Sequence, residues 1–406
     1  MAAQSARSTD RPYSPLYFLA ALGAGGLAVT FFMFLMFWVP HKGQPVPVFE
    51  DIMAAFMAGS LPMQVMIGIA LAGIAFFSVM HIRLLVWNMV RLNAFHRSEH
   101  YEAFKESNGE TQMKAVPLTL AMTINVGFIL GLVFVPHLWS VVEYLFPLAI
   151  VAFVAVGIYA MRLLASFFGR VLVKGGFNLE ANNSFAQLLP AFALSMVAVG
   201  LAAPAAMSDN AVIVAVAHTM ATFFMVAAVT VSIVALVLGF YSMMQHGTAP
   251  EAAPTLMIII PIMTVLGIAL LRLGHGLHVH FDVHAAAGDT LVMLTRMLSL
   301  QVLFGLLGLL VLKRQNYFAT YLSDGGRHSP GTYALVCPGV ALSVMIHFFV
   351  NKGLVAAGLI AKFGIAYWAF TAPALVLQVL MIWLVLRLNR QHMAEPRRTG
   401  TMVPAE

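Results

Sequence analysis

Charge is what this chain has least of. Asp, Glu, Lys and Arg make up only 9% of its 406 residues, against about a quarter in a soluble globular protein. Hydrophobic residues make up 61%, and no soluble fold of this size hides that share while showing water a polar exterior. A cytosolic enzyme and a nucleic-acid binder are thereby excluded. Cysteine is nearly missing as well. Cys337 stands alone, which rules out an intrachain disulfide, a thiolate metal cage and a secreted disulfide scaffold. Long polar stretches are also absent: the longest separator runs from Asn93 to Gln112, too short for a soluble domain. No P-loop, nucleophile elbow or zinc-protease motif occurs, and the expectation is a protein that is not an enzyme.

What remains is apolar sequence, with a mean hydropathy of +0.89. A helix needs about 20 apolar residues to cross the hydrocarbon of a bilayer. Ten such stretches occur, at 15–39, 61–90, 116–137, 140–168, 184–207, 211–241, 254–274, 288–312, 332–351 and 354–388. The first follows Arg7 and Arg11, is too long for a signal-peptide core and lacks a small-residue cleavage pattern, so it reads as a retained span. The expected organisation is a cytoplasmic tail over 1–14, a ten-helix transmembrane domain over 15–390 and a second cytoplasmic tail over 391–406. An even number of spans puts both termini on one side. Under that count, every lysine and arginine except Lys42, Arg272, Arg296, Lys352 and Lys362 falls on the terminal side. Positive residues stay cytoplasmic, so both termini are expected inside a bacterial inner membrane. The net charge of +6 then reflects orientation in lipid and not an affinity for nucleic acid.

The odd-numbered spans share a proline near their cytoplasmic ends: Pro15, Pro117, Pro190, Pro261 and Pro338. The last four are 73, 71 and 77 residues apart, the length of one helical hairpin with its loops. Pro190-Ala-Phe-Ala-Leu-Ser195 and Pro338-Gly-Val-Ala-Leu-Ser343 both read P-x-x-A-L-S, and Pro117-Leu-Thr-Leu-Ala-Met-Thr123 is a looser version. Self-similarity at a fixed period marks a repeated supersecondary unit. The expected fold is therefore an all-α integral membrane protein, with five helical hairpins around a central pore-like axis. Odd helices would line the axis and even helices would face lipid. A proline inside a span frees a backbone carbonyl, which is tolerable beside protein or a wet cavity. Pro117, Pro190, Pro261 and Pro338 are accordingly expected to kink the lining helices.

This pattern resembles the tellurite-resistance/dicarboxylate transporter (TehA-like) family, which includes the plant slow-type anion channels. The resemblance rests on ten spans, both termini inside, the proline series and the opening Ser14-Pro-Leu-Tyr-Phe-Leu-Ala-Ala-Leu-Gly23-Ala-Gly25-Gly26. It covers the whole chain as architecture. It implies a pore through each subunit, a homotrimer and the passage of small anions. The family narrows its pore with a phenylalanine on the ninth helix. Here Phe348 and Phe349 stand near the outer end of that helix and Met345 nearer its middle, so the chain is more similar to a divergent, TsoY-like branch. Cys337 beside Pro338 is then either a site of interest or a small hydrophobe.

Ionisable groups within a membrane are costly and mark functional sites by default. Arg296 lies deepest, about 12 Å from the outer end of helix eight at 1.5 Å per residue. Arg272 and Lys362 are shallower and able to snorkel. The three cations would draw an anion to the outer mouth, unless Arg296 pairs with Glu143 or Asp289 and serves packing alone. Thr123, Asn125, Ser195, Thr264 and Ser343 on odd helices, with Phe348, are candidate pore-lining residues. Hydroxyls and amides replace part of an anion's hydration shell without trapping it. The same hydroxyls also bond their own i−4 carbonyls. Histidine supplies the rival reading. His275, His278, His280, Asp282 and His284 form a cluster able to ligate a divalent metal. His218 and His347 sit at similar depth and match the axial ligands of haem b in a membrane redox subunit. The abundant methionines read as adaptable packing.

Overall fold

The computed structural model describes residues 13–283, 286–323 and 325–393. Those residues are helical or irregular, with no strand among them, and ten helices are long and apolar enough to cross a membrane. These are α1 (Phe18–Trp38), α2 (Leu61–His96), α3 (Ala115–Phe134), α4 (Val142–Lys174), α5 (Leu189–Met207), α6 (Ala211–His246), α7 (Ile259–Phe281), α8 (Ala287–Arg314), α9 (Val336–Phe348) and α10 (Ile365–Met393). The chain is an all-α, multi-pass membrane protein. Most of the expected tails, 1–12 and 394–406, lie outside the described residues, and residues 391–393 continue α10.

Burial separates the helices by parity. In their most apolar windows the odd helices bury 56–100% of residues and the even ones 22–39%. A helix that is apolar all round belongs inside protein, and α5 meets that condition completely. Each odd helix forms a hairpin with the even helix after it. The odd helices also pack on one another in sequence: α1 on α3, α3 on α5, α5 on α7, α7 on α9, and α9 back on α1. The five units thus close into a ring. The even helices present large apolar side chains such as Phe76, Leu148, Phe223, Leu303 and Trp383 outward, as lipid contact requires.

Each odd helix opens with a short 3-10 segment: Pro15–Tyr17, Asn108–Lys114, Ala186–Leu188, Pro250–Met257 and Pro330–Leu335. Four of these share one device. The hydroxyls of Ser14, Ser107, Ser184 and Ser329 accept the backbone N–H two residues on, from Leu16, Gly109, Ala186 and Gly331, at 3.1–3.3 Å. Such local bonds satisfy N–H groups that a helix start leaves unpaired. The α-helix follows, and Pro117, Pro190, Pro261 and Pro338 each fall on its second or third residue. Proline in the first turn gives up no intrahelical bond. The expectation of kinks is therefore corrected: these prolines stand in the first turns of the lining helices, where they interrupt no intrahelical hydrogen bond.

Two further differences concern the ends. The tenth span was expected over 354–388, but Phe349–Val355 is a π-helical turn, and Gly358 (φ +72) and Phe363 (φ +65) adopt left-handed backbone conformations. The chain therefore reverses before α10 begins at Ile365. A short helix, Phe49–Ala58, also lies between α1 and α2. The Glu50 carboxylate accepts the His137 backbone N–H at 2.7 Å, tying this helix to the α3–α4 loop. That hydrogen bond holds the Glu50 carboxyl below the usual range. At the terminal end, the charged stretch between α2 and α3 contributes Glu110, which pairs with Arg170 at 2.8 Å.

Candidate functional site

Two cavities occupy the ring axis. The one at the terminal end has a volume of 620 Å³ and is lined by residues including Tyr13, Ser14, Gln112, Glu251 and Ser329. The one at the far end has a volume of 450 Å³, and its wall includes Met33, Phe128, Met196, Val340 and Phe348. Three residues border both: Phe192 on α5, Pro261 on α7 and Cys337 on α9. All three stand in the first turns of their helices, so the shared helix starts place them at one level. Phe192 is 4% exposed and Cys337 9%. A thin layer of side chains therefore separates the two spaces.

The far-end cavity carries positive charge without a counter-charge. Arg272 projects from α7, about 14 Å along the helix from its end at Phe281 at 1.5 Å per residue. Its guanidinium donates to the Val199 carbonyl at 2.9 Å. A guanidinium keeps its charge and offers five N–H donors, so this carbonyl answers only a small part of its demand. Among the described residues the ion pairs are Lys105–Glu102, His137–Glu50 and Arg170–Glu110, and none includes Arg272. Among the described residues no Asp or Glu lines this cavity, whereas the exposed His275 and Lys352 do.

The expected lining residues divide. Asn125, Thr264 and Phe348 border the far-end cavity. Asn125 donates to Ala121 O at 3.1 Å. Thr264 accepts from Gln301 Nε2 at 2.7 Å and lies 3.0 Å from Ala341 O, so helix packing consumes its hydroxyl. Thr123, Ser195 and Ser343 border neither cavity. Thr123 bonds Thr119 O and lies 2.9 Å from His81 Nε2, while His81 Nδ1–H donates to Ala21 O at 2.7 Å. Ser195 donates to Phe192 O and Ser343 to Ala374 O, at 2.8 and 2.9 Å. Their hydroxyls are bound to carbonyls, the packing alternative. Pro261 borders both cavities and Pro338 the terminal one, while Pro117 and Pro190 are buried beside them.

Among the expected anion attractors, Arg272 alone reaches the axis. Arg296 is exposed on the outward-facing helix α8 and lines neither cavity. Glu143 instead accepts from Ser208 and Asp209, and Asp289 from Ala286 N, so neither proposed partner is engaged with Arg296 in those bonds. Lys362 lies in the turn before α10 with its ammonium over the Phe363 ring at 5.1 Å. Partial burial, then Lys352 nearby, pushes its pKa down. Phe192, which the sequence does not distinguish, stands at the partition with Cys337, and Lys352 stands at the mouth.

The histidines are spread out. Among the described residues no three His, Cys, Asp or Glu side chains gather as a metal-binding group. His275 lines the cavity mouth, His280 Nε2–H donates to Ser208 O at 2.9 Å, and Asp282 caps α7 in a left-handed conformation. His278 lies on the same last turns of α7, and His284 lies outside the described residues. His347 is fully buried against Phe34, Phe37 and Trp38, with ring centroids 6.0–6.4 Å away, and neither ring nitrogen has a partner. His218 is half-buried on the outer helix α6. Axial ligation needs two imidazoles facing across one gap, and His347 is packed among aromatic rings of α1 while His218 stands on the outer helix α6.

The class defined by fold and site is an all-α, multi-pass membrane protein with a ring of five hairpins and two axial cavities. No family profile matches the chain, and no curated protein is significantly similar to it.

Proposed function

We propose that this protein is a transporter or channel for a small anion or related polar solute in a bacterial inner membrane, with both termini in the cytoplasm. Its path runs along the ring axis, from the Lys352 mouth past Arg272, through the Phe192 layer and into the terminal-end cavity. The single observation that carries the reading is Arg272, a cation within a spanning segment whose described surroundings offer no carboxylate. An uncompensated charge there is strongly unfavourable, and an anion entering the cavity relieves it. The likeness to the tellurite-resistance/dicarboxylate transporter family supports this reading and adds a homotrimer as its assembly.

Anion flux into proteoliposomes tests it. Arg272→Gln keeps much of the side-chain volume and removes the charge, so flux should fall by at least about tenfold, the effect of losing roughly 1.4 kcal/mol or more of charge-assisted binding. Flux unchanged in that variant removes Arg272 from the path. The competing redox reading has one observation in its favour, the unpartnered nitrogens of His347. A visible absorption spectrum of the purified protein decides it, because a haem Soret band would displace the transport reading.

A further inference from the structure

The far-end cavity is built for a particular kind of anion. Its walls are mostly apolar, and Met33, Met36, Met196, Phe32, Phe128 and Phe348 are among the residues that line it. Thr264 has its hydroxyl occupied by neighbouring helices. Asn125 spends its two amide N–H groups on Ala121 O at 3.1 Å and Met196 Sδ at 3.7 Å. Among the described residues that line this cavity, Arg272 is therefore the one deep group with donors to spare, and it offers a single positive charge. A volume of 450 Å³ is that of a small-molecule site and not of a bare ion, since such sites run from about 300 to 1,000 Å³.

The geometry points to an organic monocarboxylate with an aromatic or branched apolar body as the ligand of this cavity. The carboxylate meets the Arg272 guanidinium, and the body lies against the methionine and phenylalanine walls. The inference rests on the reading of the axial cavity as an anion's path, and it names the substrate class. The reasoning is a comparison of two entrants. A chloride or nitrate ion must shed water over apolar walls and regains only the Arg272 donors. An organic anion makes the same charge-assisted hydrogen bonds and also removes its own and the cavity's apolar surface from water. Methionine sulfur beside an aromatic ring adds a favourable contact. Burying on the order of 100 Å² of apolar surface is worth roughly fifty-fold in affinity, and the cost of ordering the ligand takes back part of it.

Binding to the purified, detergent-solubilised full chain tests this, by calorimetry at constant ionic strength with benzoate, benzamide and chloride as probes. Benzoate should bind at least about tenfold more tightly than chloride, because of its body, and than benzamide, because of its charge. Arg272→Gln should abolish the preference for benzoate over benzamide. Ala206→Phe, which fills part of the apolar wall and keeps the guanidinium, should weaken benzoate at least about tenfold while sparing chloride. Chloride as tight as benzoate, or benzamide as tight as benzoate, overturns the inference on the unmodified protein alone, even if a variant fails to fold. The two readings fail separately. Chloride flux that depends on Arg272 without benzoate selectivity leaves the transport proposal standing and sinks the substrate class. Benzoate binding that depends on Arg272, with no anion flux in proteoliposomes, upholds the ligand class and sinks transport.

Discussion

Phe192 is almost wholly buried, yet it borders the cavities on both sides of the partition together with Pro261 and Cys337. A side chain in that position either rotates away when solute passes or blocks the path. Phe192→Ala removes the largest part of the layer. Burying less aromatic surface costs about 3–5 kcal/mol in a closed core, but here the vacated volume joins two existing cavities, so the cost falls toward the low end. Anion flux should rise several-fold in this variant. Cys337 supplies an internal readout, because it is the sole cysteine. A small charged thiol reagent added at the far end should label it faster in Phe192→Ala than in the unmodified protein; equal labelling would place the barrier elsewhere. The residue scale is also where sequence reading is weakest. Depth along a span singles out Arg296, whereas helix parity singles out Arg272 on an odd helix, and the structure follows parity. Phe192, between the matched Pro190 and Ser195, carries no mark that separates it from the other phenylalanines.

The ring depends on close helix approach as well as on burial. Gly276 on α7 lies against the Ala205 carbonyl of α5, and a Cβ there would overlap that oxygen. Backbone does not yield as a side-chain end does, so Gly276→Ala must push α7 away from α5. Arg272, one turn earlier on the same face, would be drawn from the Val199 carbonyl. Overpacking of this sort costs about 1–3 kcal/mol. The buried Gln301, which donates to Ile260 O and Thr264 across α7 and α8, is the useful contrast, since hydrogen bonds between membrane helices average about 0.6 kcal/mol. Gly276→Ala should therefore lower the thermal midpoint in detergent more than Gln301→Leu does, and the reverse order would show that polar pairing outweighs close packing in this ring. The proline series was legible as a repeat because it recurs at hairpin spacing. Its role was not legible, because segments such as Asn108–Lys114 look like loop in sequence and prove to be the 3-10 leads that move each proline into a first turn.

At the scale of the molecule, parity of burial, ring closure and charge asymmetry agree. Ten spans and an odd-inside, even-outside order follow from composition and period, and the packing of α9 back on α1 realises the closed ring that the repeat predicts. Side-chain facing within the ring is set by tertiary contacts between distant repeats, which is why three of the five expected small polar lining residues border neither cavity and a fourth, Thr264, has its hydroxyl engaged in packing. The orientation in the membrane is a separate physical question, and it rests on cations alone. Arg83, Arg91, Arg97, Lys105, Arg162, Arg170, Lys313, Arg314 and Arg387 all lie toward the terminal half, and Lys352 and Lys362 lie at the far end. Retention of lysine and arginine on the cytoplasmic side predicts that a fluorescent protein fused after the C-terminus folds and fluoresces, while alkaline phosphatase inserted in the turn at Gly358 is active. Active phosphatase at the C-terminus would invert the molecule. Arg272 would then open toward the cytoplasm, and the axial path would take up its anion from inside.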